Sequence, residues 1–204
     1  MLRLMHVDEI NELLLRLPML VQAQEQRSPT FPGDAKAWLK SLEAAFSASR
    51  LYQAGSVAAL RSGFVAAEHG QVPQGLEFRG RATRTRVVNA AASQALHRAA
   101  DLAAGVVSDN QPRFAEAERL AAQIVAAAWS RQLIAAREDG DSNSQCLAAL
   151  RHSLTSHSDL ENGLIHLEGL VGPHDALVFL DRALTPYLST TARATVESAR
   201  LGTS

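Results

Sequence analysis

Apolar residues recur at three- and four-residue intervals along most of the chain, and this spacing predicts α-helices. The longest such run extends from Gln111 to Asp139, contains no glycine and has its only proline in the first turn. Charged and amide side chains occupy the opposite face of this run. We therefore expect an amphipathic central helix over Gln111–Asp139 that is buried most deeply from Ile124 to Leu133. The apolar face consists of Phe114, Ala117, Ala121, Ile124, Val125 and Ala128.

Similar apolar stripes predict further helices before and after the central one. Pro18 should kink the first helix or split it into two short pieces, whereas Gly70 and Gly172 should each end a helix. Asn110 and Pro112 should turn the chain, so that the two flanking helices form an antiparallel hairpin. No segment alternates strictly over a strand length, so we expect an all-α helical bundle of about eight helices. The apolar stripes lie in nine ranges, roughly 8–26, 34–53, 56–69, 83–110, 111–139, 146–154, 158–170, 175–184 and 191–201.

The length of the chain predicts one domain. A chain of 204 residues can bury one sizeable hydrophobic core, which favours a single helical domain over residues 1–204. The segment 71–80 is the least regular part and contains Pro73, Gly75 and Gly80. It is therefore a possible subdomain seam or a functional loop.

Composition and charge narrow the class of protein. Hydrophobic residues make up 47% and charged residues 20%, and the net charge is -1, so there is no general attraction to nucleic acid or to an anionic membrane. The single cysteine, Cys146, fits a reducing compartment. The first ten residues include three charged ones, and no segment has the roughly 20 apolar residues of a membrane span. We expect a cytoplasmic protein without a membrane partner.

One short motif suggests catalysis. The segment from Arg151 to His157, RHSLTSH, resembles the Arg-x(4 to 6)-His motif of the HEPN-superfamily ribonucleases, which are small all-helical proteins. The resemblance implies that Arg151 would hold phosphate charge and His157 would transfer a proton during RNA cleavage. The alternative is that both are solvated residues near the C-terminal end of a helix, where positive charge is favourable.

A basic cluster precedes the helix that is expected from residue 83. Arg79, Arg81, Arg84 and Arg86 lie where the irregular segment meets this helix. Guanidinium groups together with the free N–H groups of a helix N-terminus could bind a phosphate or nucleic acid. Pairing with acidic residues of the same chain or of another subunit explains the cluster equally well.

Four histidines in the last third of the chain suggest a metal site, but their spacing does not match a known ligand pattern. They are His152, His157, His166 and His174. Neither a His-Glu-x-x-His nor a Glu-x-x-His pattern occurs among them. Phosphate-binding glycine loops and Cys-x-x-Cys pairs are also absent from the sequence. We expect no metal and no cofactor.

The sequence thus favours a non-enzymatic all-helical protein with an interaction, regulatory or scaffold role, acting through helix-mediated protein contacts. We expect a protein partner and self-association into an oligomer, because alanine-rich helix faces allow close helix packing. The competing function is a HEPN-like endoribonuclease that uses Arg151 and His157. A bundle that holds a small ligand between its helices is a third possibility.

Overall fold

The structure is a computed structural model that describes residues 1–73, 75–76, 83–134 and 143–201, with side chains described up to residue 187 and not for 143–146. This part of the chain contains eight helices and no strand. The predicted all-α class is therefore confirmed. The helices are α1 (Leu4–Leu15), α2 (Leu17–Glu25), α3 (Phe31–Ala48), α4 (Gln53–Glu68), α5 (Arg84–Ser130), α6 (Asn143–Thr155), α7 (Ser158–Val171) and α8 (Pro173–Leu201).

Three of the predicted helix boundaries are confirmed. The first helix is interrupted at Arg16, and Pro18 lies in the first turn of α2, where the missing N–H has no partner to lose. Gly70 and Gly172 follow the ends of α4 and α7, and each has a φ of 88°. Only glycine adopts this left-handed conformation without steric cost, which is why helices so often end beside one.

The predicted hairpin at Asn110 and Pro112 is wrong. α5 is a single helix of 47 residues that includes Pro112. A proline inside a helix costs about 3 kcal/mol. The buried positions keep the same helical phase on both sides, through Val106, Phe114 and Ala117. The free energy gained by burying this face therefore exceeds the cost of a proline inside the helix. The long central helix is Arg84–Ser130 rather than Gln111–Asp139.

Two further predictions near helix ends are also wrong. α5 ends at Ser130, where Gln132 has a φ of 57° and the Leu133 N–H donates to the Ala128 carbonyl at 3.0 Å. Trp129 is 37% exposed, so burial does not deepen towards Leu133. Residues 135–139 of the predicted helix lie outside the described residues. Pro186 lies inside α8 instead of dividing two helices.

The chain divides into two compact units, and the division falls between Asn110 and Gln111. A further seam at 71–80 remains a prediction. We call Leu2–Asn110 the N-terminal unit and Gln111–Ser204 the C-terminal unit, which also includes Met1. That the whole chain unfolds as a single domain, as its length indicates, remains a prediction.

The N-terminal unit is built around α3. One face of this helix is buried, and the indole Nε1 of Trp38 donates to the Leu13 carbonyl of α1 at 2.8 Å. Gln24 of α2 donates to Ser93 Oγ of α5 at 2.8 Å. The largest fully buried side chains of the unit are Ile10, Phe31, Leu39, Leu42, Phe46, Val57, Phe64 and Leu96.

The C-terminal unit packs α6, α7 and α8 with the part of α5 that follows Asn110. Phe114 of α5 and Phe179 of α8 are in contact, with ring centroids 6.0 Å apart. Val125 and Ala128 of α5 are fully buried, as the amphipathic pattern predicted. Within the described residues, no helix combines the length and the hydropathy needed to cross a membrane.

Candidate functional site: an open cleft between α4 and α5

The described part of the N-terminal unit contains a cleft of about 720 Å³ between α4 and α5. Its floor contains the buried residues Phe64, Ala91 and Ala95, and Pro73 lies at one end. This volume is within the range of roughly 300–1,000 Å³ that is typical of binding sites. The remaining lining residues are Ser56, Ala59, Leu60, Gly63, Gln94, Arg98, Asp101 and Leu102.

The cleft exists because the facing surfaces of the two helices carry small side chains. Lining residues recur every three or four positions on each helix, so they form one continuous face. Ala59 and Gly63 of α4 lie opposite Ala91 and Ala95 of α5, and such short side chains cannot fill the space between the helices. The sequence pattern shows only alanine-rich stripes, so it predicts close helix packing and not a gap.

Gly63 shows most directly how open the cleft is. No described atom outside its own helix backbone lies within 4 Å of the position that a Cβ would take there. A glycine inside a helix costs about 1 kcal/mol relative to alanine. Neither a steric contact within the described residues nor a special backbone angle requires a glycine at this position. A Cβ atom at this position would therefore displace no described wall of the cleft.

Two opposite charges lie on the α5 side of the cleft. Arg98 and Asp101 are exposed and one helical turn apart, and neither has a hydrogen bond or ion pair with another described residue. Two ion pairs form elsewhere on the same unit, since Lys36 Nζ lies 2.6 Å from Glu68 Oε2 and Arg61 Nε lies 2.6 Å from Glu43 Oε2. Among the described residues, the cleft therefore combines an apolar floor with one carboxylate and one guanidinium at its edge that have no ion-pair partner.

The cleft lacks an evident catalytic set among its described lining residues. Ser56 is its only hydroxyl, and the lining contains no histidine or cysteine that could activate it. A mostly apolar lining of this kind binds a ligand by complementary shape and by burial of apolar surface.

Arg151 and His157 make separate contacts. Arg151 Nη2 lies 3.2 Å from Glu168 Oε1 of α7, whereas His157 Nδ1 lies 3.0 Å from the Ser153 carbonyl oxygen. His157 directly precedes α7, so Glu168 lies about 16 Å further along that helix axis at 1.5 Å per residue. The guanidinium of Arg151 is therefore directed along α7, away from the imidazole. That Arg151 and His157 act on one phosphate remains a prediction.

The basic cluster is described only in part. Arg79 and Arg81 lie outside the described residues. Arg84 begins α5 and its guanidinium donates to the Glu68 carbonyl oxygen of α4. The Arg86 N–H donates to Thr83 Oγ1 at 3.3 Å, so Thr83 caps the helix. One of the first free N–H groups that a phosphate would use is thus already satisfied.

The C-terminal unit contains the one charged residue that is fully buried among those described. Asp175 is 3% exposed and lies in the first turn of α8, where a carboxylate is favoured. Burial lowers the pKa of the Arg113 guanidinium, and the Asp175 carboxylate raises it. Arg113 also lies over the Phe114 ring, 4.6 Å from its centroid. Within the described residues, no group of three or more His, Cys, Asp or Glu side chains could hold a metal ion.

Comparisons with known proteins identify no relative of this chain. Searches against protein-family models, curated proteins and solved structures find no match to this chain.

Proposed function

We propose that the chain is a non-enzymatic, cytoplasmic interaction protein with a regulatory or scaffold role, and that it contacts a protein partner through its helices. The observation that supports this proposal is the open cleft between α4 and α5. A groove between two helices with a floor of small apolar side chains accepts the apolar face of a third helix, because short side chains let helix axes approach to about 8 Å.

The length of the cleft supports a helix as its occupant. The lining residues of α5 extend from Ala91 to Leu102, which is about 16 Å along the helix at 1.5 Å per residue. Three turns of a partner helix have the same length. Apolar contacts over three turns give an interface its affinity, whereas the exposed charges at the edge determine its register and specificity.

Photo-crosslinking in cells that produce the full chain tests the proposal. Benzoylphenylalanine in place of the exposed cleft residue Ala59 should give adducts with a defined protein. The same probe in place of Gly105, which is exposed on α5 and has no described neighbour at its Cβ position, should not give these adducts. Gly63→Leu should abolish the Ala59 adducts because its side chain occupies the cleft.

The variant must remain folded for this result to count. Leucine has a higher helix propensity than glycine, so circular dichroism should show unchanged helicity and a melting temperature at least equal to that of the parent chain. If Ala59 gives no protein adduct, or if Gly63→Leu leaves the adducts intact, the cleft is not a protein-binding surface.

The ribonuclease alternative needs its own test. Under the proposed function, purified protein should leave single-stranded RNA intact, and Arg151→Ala and His157→Ala should behave like the parent chain. RNA cleavage that both substitutions abolish, with unchanged helicity, would replace the proposed function by the ribonuclease.

A further inference from the structure

All three methionines of the chain lie within its first 19 residues, and all three are exposed. Met1 is 78% exposed, Met5 is 55% exposed and Met19 is 74% exposed. Methionine is more often a core residue, because its unbranched apolar side chain fills irregular gaps between other side chains. The buried side chains of this chain include no methionine, so every thioether group is accessible to solutes.

The geometry of α1 explains why Met5 is exposed. Successive residues are rotated by about 100° around a helix axis, because an α-helix has about 3.6 residues per turn. Met5 therefore lies on the side of α1 that is opposite to the buried residues. These buried residues are Leu4, Val7, Ile10 and Leu13.

Met19 lies on α2, in which no residue is fully buried. Leu17, Leu20 and Ala23 of this helix are partly buried and pack against the core of the N-terminal unit. A hydrogen bond from Gln24 also joins this helix to α5. None of these contacts uses Met19, so its side chain can become polar without loss of a contact that holds α2.

Exposed thioether groups react with hydrogen peroxide. A lone pair of the methionine Sδ atom attacks one oxygen of the peroxide, so that an S–O bond forms and the O–O bond breaks. The hydroxide that leaves takes the proton of the transferred oxygen and becomes water. The sulfur is oxidised by two electrons, the peroxide is reduced, and the product is methionine sulfoxide.

We propose that Met5 and Met19 are a reversible oxidation site for hydrogen peroxide, and that their conversion to sulfoxides makes the surface of α1 and α2 more polar while the N-terminal unit stays folded. Two thiols restore each thioether, because the sulfoxide oxygen leaves as water and the thiols form a disulfide. The described lining of the α4–α5 cleft contains no methionine, so the oxidation site does not depend on the proposed function.

Exposure lets the fold tolerate this reaction. A sulfoxide is polar, and burying it would cost free energy unless its oxygen accepted a hydrogen bond. The sulfoxide oxygen of Met5 or Met19 is hydrated instead, because both side chains are in contact with water. The buried core cluster of the N-terminal unit consists of aliphatic and aromatic side chains without sulfur, so peroxide changes no core contact.

Oxidation changes most of the exposed large apolar side chains at this end of the chain. Five such side chains lie within residues 1–21 of the described chain, and three of the five are methionines. The other two are Leu15 and Val21, which peroxide does not oxidise. The surface therefore exchanges thioethers for hydrated sulfoxides and becomes less hydrophobic.

Timed exposure to hydrogen peroxide, followed by peptide mass spectrometry, tests the accessibility of the two sulfur atoms. Each methionine of the chain unfolded in guanidinium chloride is the reference for the same methionine in the folded chain. Met5 and Met19 should be oxidised at rates within about fivefold of this reference, because the rate follows exposure. Stronger protection of either residue in the folded chain would overturn the proposal.

Hydrophobic-interaction chromatography and circular dichroism test the effect on the surface and on the fold. The oxidised parent chain should elute earlier than the untreated chain and keep its helicity and melting temperature. Treatment with a methionine sulfoxide reductase and dithiothreitol should restore the original retention. Loss of helicity on oxidation, an unchanged retention, or a retention that reduction does not restore would overturn the proposal.

The double variant Met5→Leu and Met19→Leu is the matched control. Leucine is apolar, resists peroxide and is a strong helix former, so the variant should have the helicity of the parent chain. Met1 and Cys146 remain in both proteins, so the difference between them reports the two substituted residues. Peroxide should shift the retention of the variant clearly less than that of the parent chain, and an equal shift would show that Met5 and Met19 are not the site.

Discussion

The N-terminal and C-terminal units each place a glycine in the middle of a helix, and the two glycines have different surroundings. A Cβ at Gly63 of α4 would meet no described atom within 4 Å. A Cβ at Gly163 of α7 would lie 3.2 Å from Ile124 Cγ1. The C-terminal unit therefore uses its glycine to let α7 approach α5 closely, whereas the N-terminal unit leaves the space beside its glycine empty.

The same difference extends to the surfaces of the two units. Of the exposed large hydrophobic side chains between residues 2 and 187 that are described, the C-terminal unit has only Trp129 and Ile165, and the N-terminal unit has the other six. Trp129 is partly covered by Tyr187, with ring centroids 5.2 Å apart. Among the described residues, the C-terminal unit therefore buries most of its large apolar side chains, while the N-terminal unit leaves more of them exposed.

The largest effect is expected from a charge in the core of the C-terminal unit. Ile124 is 4% exposed and contacts α7 at Gly163, so Ile124→Asp should cost about 5 kcal/mol and unfold this unit. Each unit has one tryptophan, Trp38 or Trp129. In a Trp129→Phe background, the fluorescence of Trp38 reports the unfolding of the N-terminal unit. In a Trp38→Phe background, the fluorescence of Trp129 reports the unfolding of the C-terminal unit.

The same experiment tests the prediction of a single domain. α5 contributes to both units, so we expect both tryptophans to report the loss of structure in Ile124→Asp. A normal thermal transition of Trp38 in this variant would show that the N-terminal unit folds independently. A melting temperature equal to that of the parent chain would contradict the burial of Ile124.

A smaller loss is expected at the buried carboxylate of the C-terminal unit. Asp175→Ala should lower the free energy of unfolding by about 2 kcal/mol, because it removes a buried carboxylate from the first turn of α8 together with its electrostatic interaction with Arg113. Asp181→Ala, which changes a less buried carboxylate on the same helix, should cost much less. Chemical denaturation measures both, and Arg113→Met combined with Asp175→Ala should recover most of the loss if the two groups compensate each other.

The glycine comparison itself predicts opposite effects for one substitution. Gly163→Leu should destabilise the C-terminal unit by about 2 kcal/mol, since the new side chain must displace Ile124. Gly63→Leu should be neutral or stabilise the N-terminal unit by up to about 1 kcal/mol, because it gains helix propensity without a clash. Equal melting temperatures for the two variants would mean that the glycines do not differ in packing.

The smallest effect concerns acid stability in the C-terminal unit. Hydrogen bonds from Arg131, at 2.5 and 3.0 Å, lower the pKa of Asp159 from 3.8 to about 2. A carboxylate with a lowered pKa stabilises the folded state above pH 3.8 and loses this contribution as the pH falls towards 2. The contribution is small because both side chains are exposed.

Carbon-detected NMR titration measures this pKa directly. Arg131→Gln should raise the pKa of Asp159 towards 3.8, whereas Arg119→Gln should leave it unchanged and raise the lowered pKa of Glu116 instead. An Asp159 pKa that stays near 2 in Arg131→Gln would show that the helix N-terminus, and not the guanidinium, causes the shift.

The sequence by itself determined the helical class and several helix ends. Apolar spacing of three and four residues is a local property, and it predicted the buried face of α5 from Phe114 to Ala128. Gly70 and Gly172 were predicted as helix ends because a left-handed conformation is a property of single residues. The break in the first helix beside Pro18 was also predictable, because the missing N–H of proline is a property of a single residue.

Only the tertiary structure decided which local signals prevail. Pro112 and Pro186 are strong local breaks, yet α5 and α8 continue through them because the buried positions of each unit lie on continuous faces. Alanine and glycine stripes are equally compatible with close packing and with a gap. Gly63 lines a cleft because of the position of α4 relative to α5. Gly163 lies in a core because it contacts Ile124. Burial depends on which neighbours reach a residue and not on the residue alone.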